Sequence, residues 1–212
     1  MLTYRSTPRI ANSDLSEFKN VLLYGQVPQR SESPALRFGT SFHHHLLVDR
    51  DAIPSGLGTK PMLRMLEVMR SHQQFCQILE GAIPEIPQYW DDEQTGLPCK
   101  SQLDLLHPSD ELIADVKTTS ASNRAEFLEN CLRYEYDRQA AFYVDGCQAL
   151  GHPIYRFILF GVQKQKPHQV FVVELKTTDR FTEDGRRKYR KLLASWKQQP
   201  YTPTSWQIVT TL

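Results

Sequence analysis

The stretch Lys100–Thr119, KSQLDLLHPSDELIADVKTT, decides how the rest of the chain is read. Its first half alternates, which sets Lys100, Gln102 and Asp104 on one strand face and Cys99, Ser101, Leu103 and Leu105 on the other. His107-Pro108-Ser109-Asp110 is turn chemistry, because proline fixes φ and short polar side chains bond nearby backbone. A second strand, Glu111 to Lys117, sets Ile113, Asp115 and Lys117 opposite Leu112, Ala114 and Val116. Paired as a hairpin, the strands bring two carboxylates and an ammonium to one end of a sheet. Hard divalent cations take carboxylate and carbonyl oxygens, and Asp104 with Asp115 supplies them. Lys117 is placed to orient an attacking water or to offset developing negative charge. On this stretch alone a second reading stays open: two solvated strand faces joined by a surface ion pair.

A length of 212 residues suits one domain with a sizeable core, or one with a small appendage. The net charge of +1 gives no global attraction to nucleic acid or anionic lipid, so any such binding needs a local patch. Cys76, Cys99, Cys131 and Cys147 are scattered without a CxxC pair, which reads as reduced cytosolic thiols, not a disulfide frame or zinc site. No signal peptide is recognised, and no apolar run approaches the ~18–20 residues of a membrane span.

Working outward, a helix is expected from Asn12 or Ser13 to about Tyr24, with Leu15, Phe18 and Val21 or Leu22 inward. Gly25 to Pro34 reads as a loop. A second helix starts at Ser33-Pro34 and runs to about Val48. A third starts at Thr59-Lys60-Pro61, lines one face with Met62, Met65, Leu66 and Met69, and continues or restarts toward Leu79. Three strands follow, near 83–90, 97–106 and 111–117, as a meander. A helix over about 124–150, broken early, precedes strands within 153–163 and 168–175. A closing helix over about 182–198 buries Leu192, Leu193 and Trp196. The order predicts an α/β fold with a mixed sheet: three-strand meander, crossover helix, further strands, helices on the flanks.

Gln139 and Tyr143 are spaced i, i+4 and share one helix face, with Tyr136 one turn earlier. The tyrosines read equally well as core, but an amide among Ala140, Ala141 and Phe142 needs a partner if buried. His43, His44 and His45 point about 100° apart on a helix and cannot share one ligand site. Imidazole suits Mn²⁺ and is tolerated by Mg²⁺ among oxygens. Glu85, between Pro84 and Pro87, sits in what reads as an edge strand.

Asp104, Asp115 and Lys117 spell D-x10-D-x-K, which resembles the signature of the PD-(D/E)xK nucleases. Over nearly the whole length the chain resembles their exonuclease VIII (RecE-type) branch, close to RecB-type nuclease domains. The likeness runs through Ile10-Ala-Asn-Ser-Asp-Leu, Leu36-Arg-Phe-Gly-Thr-Ser-Phe-His43, Pro84-Glu85, Tyr89-Trp90 and Gly96-Leu-Pro-Cys-Lys100. It continues through Leu103-Asp104, Asp115-Val-Lys-Thr-Thr119 and Tyr136-Asp-Arg-Gln139-Ala-Ala-Phe-Tyr143.

The resemblance implies a PD-(D/E)xK nuclease core over residues 1–212, with 1–80 mainly helical and 81–212 forming the sheet core and closing helix. It implies a deoxyribonuclease using Mg²⁺, or Mn²⁺ in its place, with two ions bound. Asp104 and Asp115 match the metal-binding acids, with the Val116 backbone carbonyl, His43 and Glu85 as further metal-site residues. Lys117 matches the catalytic lysine, and Gln139 and Tyr143 the pair that holds the lysine region or the DNA backbone. Gln102 departs from the family, standing where relatives often carry Arg. The implied activity is digestion of linear duplex DNA from 5′ ends, leaving 3′ overhangs, by a ring-forming homo-oligomer working beside a single-strand annealing protein in the cytoplasm, away from any membrane. Lys100, Arg138, Lys164, Lys166, Arg186 and Arg187 are the candidate phosphate contacts, though a charge run is usually a solvated face. An endonuclease, a RecB-type single-strand nuclease and an inactive DNA-binding protein are the competing expectations; the intact Asp104, Asp115 and Lys117 weigh against the last.

Overall fold

Each strand-like stretch of the sequence becomes a strand, and the five lie side by side in chain order. The computed structural model describes Tyr4 and residues 7–25, 33–54 and 59–207. The strands are β1 (Ile83–Asp91), β2 (Pro98–His107), β3 (Leu112–Thr119), β4 (Arg156–Gln163) and β5 (Val170–Lys176). β1, β2 and β3 form an antiparallel meander, β3 and β4 are parallel, and β5 returns antiparallel. A parallel pair needs a crossover, and α5 (Arg124–Arg133) with α6 (Tyr136–Ala149) supplies it. The mixed α/β sheet flanked by helices is therefore the one expected from the sequence.

Before the sheet come α1 (Asn12–Tyr24), α2 (Pro34–His43), a π-helical turn over His44–Val48, α3 (Thr59–Arg70) and α4 (Gln73–Gly81). After it come α7 (Arg180–Gln198) and the short α8 (Thr204–Gln207). Proline at the first position and the Ser33 hydroxyl, accepting from the Leu36 N–H at 3.2 Å, start α2. Most of the expected loop 25–34 lies outside the described residues. Leu15 and Phe18 are buried as expected, and of the two candidates for the next inward position Val21 is half-buried while Leu22 is exposed.

The sheet is packed on both sides. Phe42, Leu46, Met65 and Phe75 cover one face through Leu105, Ala114, Val116 and Phe160. Phe127, Cys131, Ala140 and Val144 cover the other through Leu103, Ile113, Phe157 and Leu159. Each fully buried large side chain contributes about 1.5–3 kcal/mol, so these layers fix how high α2 and α6 ride over the strands. α7 packs close on α6: a Cβ at Gly185 would run into the Asp137 carbonyl. Among the described residues no helix is long and apolar enough to cross a membrane.

The β3 alternation holds: Leu112, Ala114 and Val116 face one layer and Ile113 the other. The β2 alternation does not. Leu103 joins the α6 side and Leu105 the α2 side, so the strand changes face at Asp104. The β1–β2 register is the same on both sides of this point, with Pro84 opposite Leu105 and Ile86 opposite Leu103. β1 therefore kinks with it, at Glu85, whose φ is 49°.

Candidate active site

The paired kink lines up three acids. Glu85 stands opposite Asp104, and because Leu105 pairs with Ala114, Asp115 follows next in the same row across β3. The regular β2–β3 pairs end at Leu105. There a carboxylate replaces a strand: the Val116 N–H donates to Asp104 Oδ2 at 2.7 Å. N–H and C=O of one strand residue leave on the same edge, so the Val116 carbonyl faces this opened side. A non-glycine residue at positive φ is strained and persists only where its surroundings enforce it, and such residues gather at working sites.

From above, α2 lowers His43 onto Asp104, with Nδ1 3.3 Å from Oδ1. Ligand atoms of His43, Glu85 and Asp104 lie within 4.8 Å of one another, the spacing of a shared cation. On the α6 side, Lys117 Nζ is 2.7 Å from Asp115 Oδ2 and 4.9 Å from the centre of the Tyr136 ring. Gln139 Nε2 donates to Tyr143 Oη at 3.0 Å. Gln102, the family departure, donates to Glu85 Oε2 at 2.5 Å. His44 is exposed, and among the three histidines it is His43 whose ring nitrogen lies against Asp104 and within reach of Glu85.

The electrostatics follow from burying more acid than base. Burial pushes the Asp115 carboxyl up to about 6, with Asp104 adding to the rise and Lys117 opposing it. Burial and the Asp104 charge also raise Glu85, against His43 and the Gln102 hydrogen bond. Burial disfavours ionised Asp104, but His43's charge and hydrogen bond, Lys117 and the Val116 N–H hold it below its ordinary value. Burial likewise opposes charge on His43 and Lys117, and the aspartates outweigh it in both, so both stay protonated more readily than usual. Burial lifts Tyr143 to about 12, with the Asp115 charge adding to it. A row in which two of the three carboxyls are raised, around an Asp104 kept ionised, fits a bound divalent cation, which would replace those protons.

The basic residues divide. Lys100 is buried and its ammonium donates to the Tyr4 carbonyl at 3.0 Å and the Thr7 carbonyl at 2.7 Å, so it pins the N-terminal segment and does not face a phosphate. Arg138 is 1% exposed and bonds Asn12 Oδ1 at 2.9 Å, Ser16 and Glu135. The Arg186 Nε–H is shared between the two Asp145 carboxylate oxygens at 2.8 and 3.0 Å, with Glu183 as a further partner. These three are structural cations, a correction to the expected DNA contacts. Arg187 is exposed on α7 and paired with Asp184. Lys164 and Lys166 lie on the β4–β5 turn, just past Gln163, the partner of Thr119 in β3. A cleft of about 320 Å³ lined by Trp90, Asp92, Asp145, Arg186 and Arg190 sits at the far end of β1 from Glu85 and contains none of the acid row.

Sequence reasoning undervalued Tyr136 and Gln102, which touch Lys117 and Glu85 respectively. Tyr136's place one turn before Gln139 was the available signal; nothing in the sequence marks Gln102's partner.

A mixed sheet whose meander carries D-x10-D-x-K, with crossover helices over the lysine, is the PD-(D/E)xK architecture. The chain belongs to the family described as PDDEXK-like domain of unknown function (DUF3799), whose model matches residues 59–201. Among solved structures it resembles a putative exonuclease from Eubacterium rectale, with TM-score 0.66 and 15% identity over 97% of this chain and 89% of that one. It also resembles an alkaline exonuclease from Laribacter hongkongensis, with TM-score 0.51 and 12% identity over 92% and 90%. Among curated proteins no sequence match is found. At such identities the likeness carries the fold; the site's chemistry must come from its own residues.

Proposed function

We propose that this chain is a metal-dependent deoxyribonuclease, an exonuclease that digests linear duplex DNA from its 5′ ends and leaves 3′ single strands for recombination by annealing. The observation that carries this reading is the row Glu85–Asp104–Asp115, closed by His43 on one side and Lys117 on the other. The two structural relatives, named as exonucleases, agree with it. His43, Glu85, Asp104, Asp115 and the Val116 carbonyl would hold Mg²⁺, or Mn²⁺ in its place, in up to two positions. A bound divalent ion supplies a Lewis acid for the phosphate and a water of lowered pKa. Lys117, kept protonated by the aspartates, sets its charge beside the attacked phosphate, where negative charge develops. Tyr136 and the Gln139–Tyr143 pair fix the lysine's surroundings, and Gln102 fixes Glu85. Lys164 and Lys166 contact the DNA backbone. A ring-like homo-oligomer, a single-strand annealing partner and a place in the cytoplasm of a bacterial or phage-infected cell complete the proposal, on the strength of the RecE-type resemblance.

End-labelled linear duplex and covalently closed circles, incubated with Mg²⁺ or with EDTA, test it. The linear form should be consumed with early mononucleotides from the 5′-labelled strand, the circles should survive, and EDTA should stop the reaction. Rapid cutting of closed circles would make the enzyme an endonuclease, and full activity in EDTA would sink the metal assignment.

A further inference from the structure

The turn joining α5 to α6 presents aromatic surface that the core does not use. Tyr134 and Leu132 are each 56% exposed. The Tyr134 ring centroid lies 6.0 Å from that of Tyr136, the residue whose ring flanks Lys117. The Arg133 guanidinium lies 5.7 Å from the Tyr134 ring centre and is in no ion pair among the described residues. The turn is firmly held. The Tyr134 N–H donates to the Asn130 carbonyl at 2.9 Å. Glu135 sits between the two tyrosines at φ 56°, gripped by Lys19 at 2.8 Å and by Arg138 at 2.9 Å. A buried arginine and a strained glutamate are thus spent on fixing a turn whose neighbours point to solvent.

We propose that Tyr134 and Arg133 form a stacking platform for an unpaired base of the substrate strand, beside the phosphodiester held at the acid row. The proposal rests on the nuclease reading of that row. An enzyme that digests one strand of a duplex parts that strand from its complement, and the freed base then offers a bare π-face. A tyrosine ring takes any base this way, and a guanidinium adds both stacking and a phosphate partner. Two ring contacts lead from solvent to the catalytic lysine, through Tyr134 and then Tyr136. Tyr134 acts here as a positioning residue, with no part in the bond-breaking step.

The test compares wild type with Tyr134→Ala and Tyr134→Phe on duplexes ending in single-stranded overhangs, intact or with abasic sites at the terminal positions. Binding of 2-aminopurine overhangs in EDTA is read by fluorescence on the same proteins. Tyr134→Ala should raise KM about tenfold, the scale of one base–aromatic stack, with kcat within about twofold. Tyr134→Phe should match wild type. Abasic ends should raise wild-type KM by a similar factor and add nothing in Tyr134→Ala, the signature of one shared interaction. Because Tyr134 is exposed, melting temperatures should be unchanged. If wild type cleaves but Tyr134→Ala keeps its KM and 2-aminopurine quenching, the platform is refuted and the nuclease stands. Loss of self-association in Tyr134→Ala with KM unaltered would refute it in favour of a contact between copies. If wild type cleaves nothing with Mg²⁺ or Mn²⁺ yet quenches 2-aminopurine through Tyr134, the nuclease reading fails and overturns the substrate platform with it, leaving a base-stacking surface without a reaction.

Discussion

Two regions bury charge in opposite ways. The acid row gathers Glu85, Asp104 and Asp115 around one ammonium and one imidazole. The seam between α6 and α7 sets Asp145 against Arg186, Arg190 and the Tyr189 hydroxyl, which donates at 2.5 Å, and sets Asp137 against Lys188 at 2.5 Å. In the seam every carboxylate named has an arginine or lysine, although Asp137 Oδ1 is left without a hydrogen-bond partner. In the row, negative charge outnumbers fixed positive charge, and two carboxylates hold their protons more tightly than usual. Buried ion pairs of the first kind position helices and become liabilities only when broken. A surplus of the second kind destabilises the empty protein and is relieved by a cation or a proton. The contrast separates structure from chemistry without appeal to relatives.

The largest expected effect falls on catalysis. Asp104→Ala or Asp115→Ala should lower kcat by about three orders of magnitude or more, since several kcal/mol of transition-state stabilisation depends on the held ion. Asp115→Ala should not lower the melting temperature, because it removes a carboxylate whose charge the fold disfavours, whereas Asp104→Ala also loses the His43 and Val116 N–H partners and should lower it modestly. Substantial unfolding of Asp115→Ala would mean that the row is a structural network like the seam.

The seam should respond in the reverse sense. Asp145→Ala leaves Arg186 and Arg190 without their shared partner and should destabilise the fold by about 3 kcal/mol, read as a denaturant midpoint shift. Activity per folded molecule should stay near wild type. A large kcat loss at full stability would place the nearby cleft in the reaction and undo the division.

How much of this was legible beforehand depended on range. β3 reads correctly because its pleat is regular and both faces are buried, so Asp115 and Lys117 fall where alternation puts them. β2 fails at one step, since alternation assumes an unbroken pleat and cannot register the paired kink at Glu85 and Asp104. That kink is also what brings Glu85 into the site. Lys100 and Arg138 read as surface cations because the partners that bury them, Tyr4, Thr7 and Asn12, stand some hundred residues away in sequence, with only Glu135 near Arg138. Charge alone does not announce a distant acceptor.

A titration sharpens the same contrast. Asp115 binds its proton at about 6 when folded, against 3.8 as the ordinary value. A carboxylate raised on folding stabilises the native state while protonated, and that contribution is lost as pH climbs from about 4 to about 6. Asn mimics the protonated acid, so the stability of Asp115→Asn minus wild type, without metal, should grow across that window by up to roughly 3 kcal/mol and then level. Asp104, whose pKa is lowered, titrates below the window. Mg²⁺ should stabilise wild type above pH 6 and leave Asp115→Asn unmoved. A difference that is flat with pH would show that Asp115 is already neutralised by Lys117, as Asp145 is by its arginines.

The smallest effect concerns exposed cations, where the same rule of paired against unpaired applies. Lys164 and Lys166 have no ion-pair partner among the described residues, whereas Arg187 is paired with Asp184. A cation free to meet a phosphate releases a counterion on binding; one already matched by a neighbouring acid releases little. Lys164→Gln with Lys166→Gln should therefore flatten the plot of log affinity against log salt by about two phosphate contacts, each near 0.9 in slope. Arg187→Gln should leave the slope within error. The measurement is fluorescence anisotropy of a labelled duplex end across a salt series, in EDTA to prevent cleavage. If Arg187→Gln flattens the slope as much as the lysine pair does, local pairing does not decide which cations meet DNA, and the α7 face must be admitted to the interface beside the β4–β5 turn.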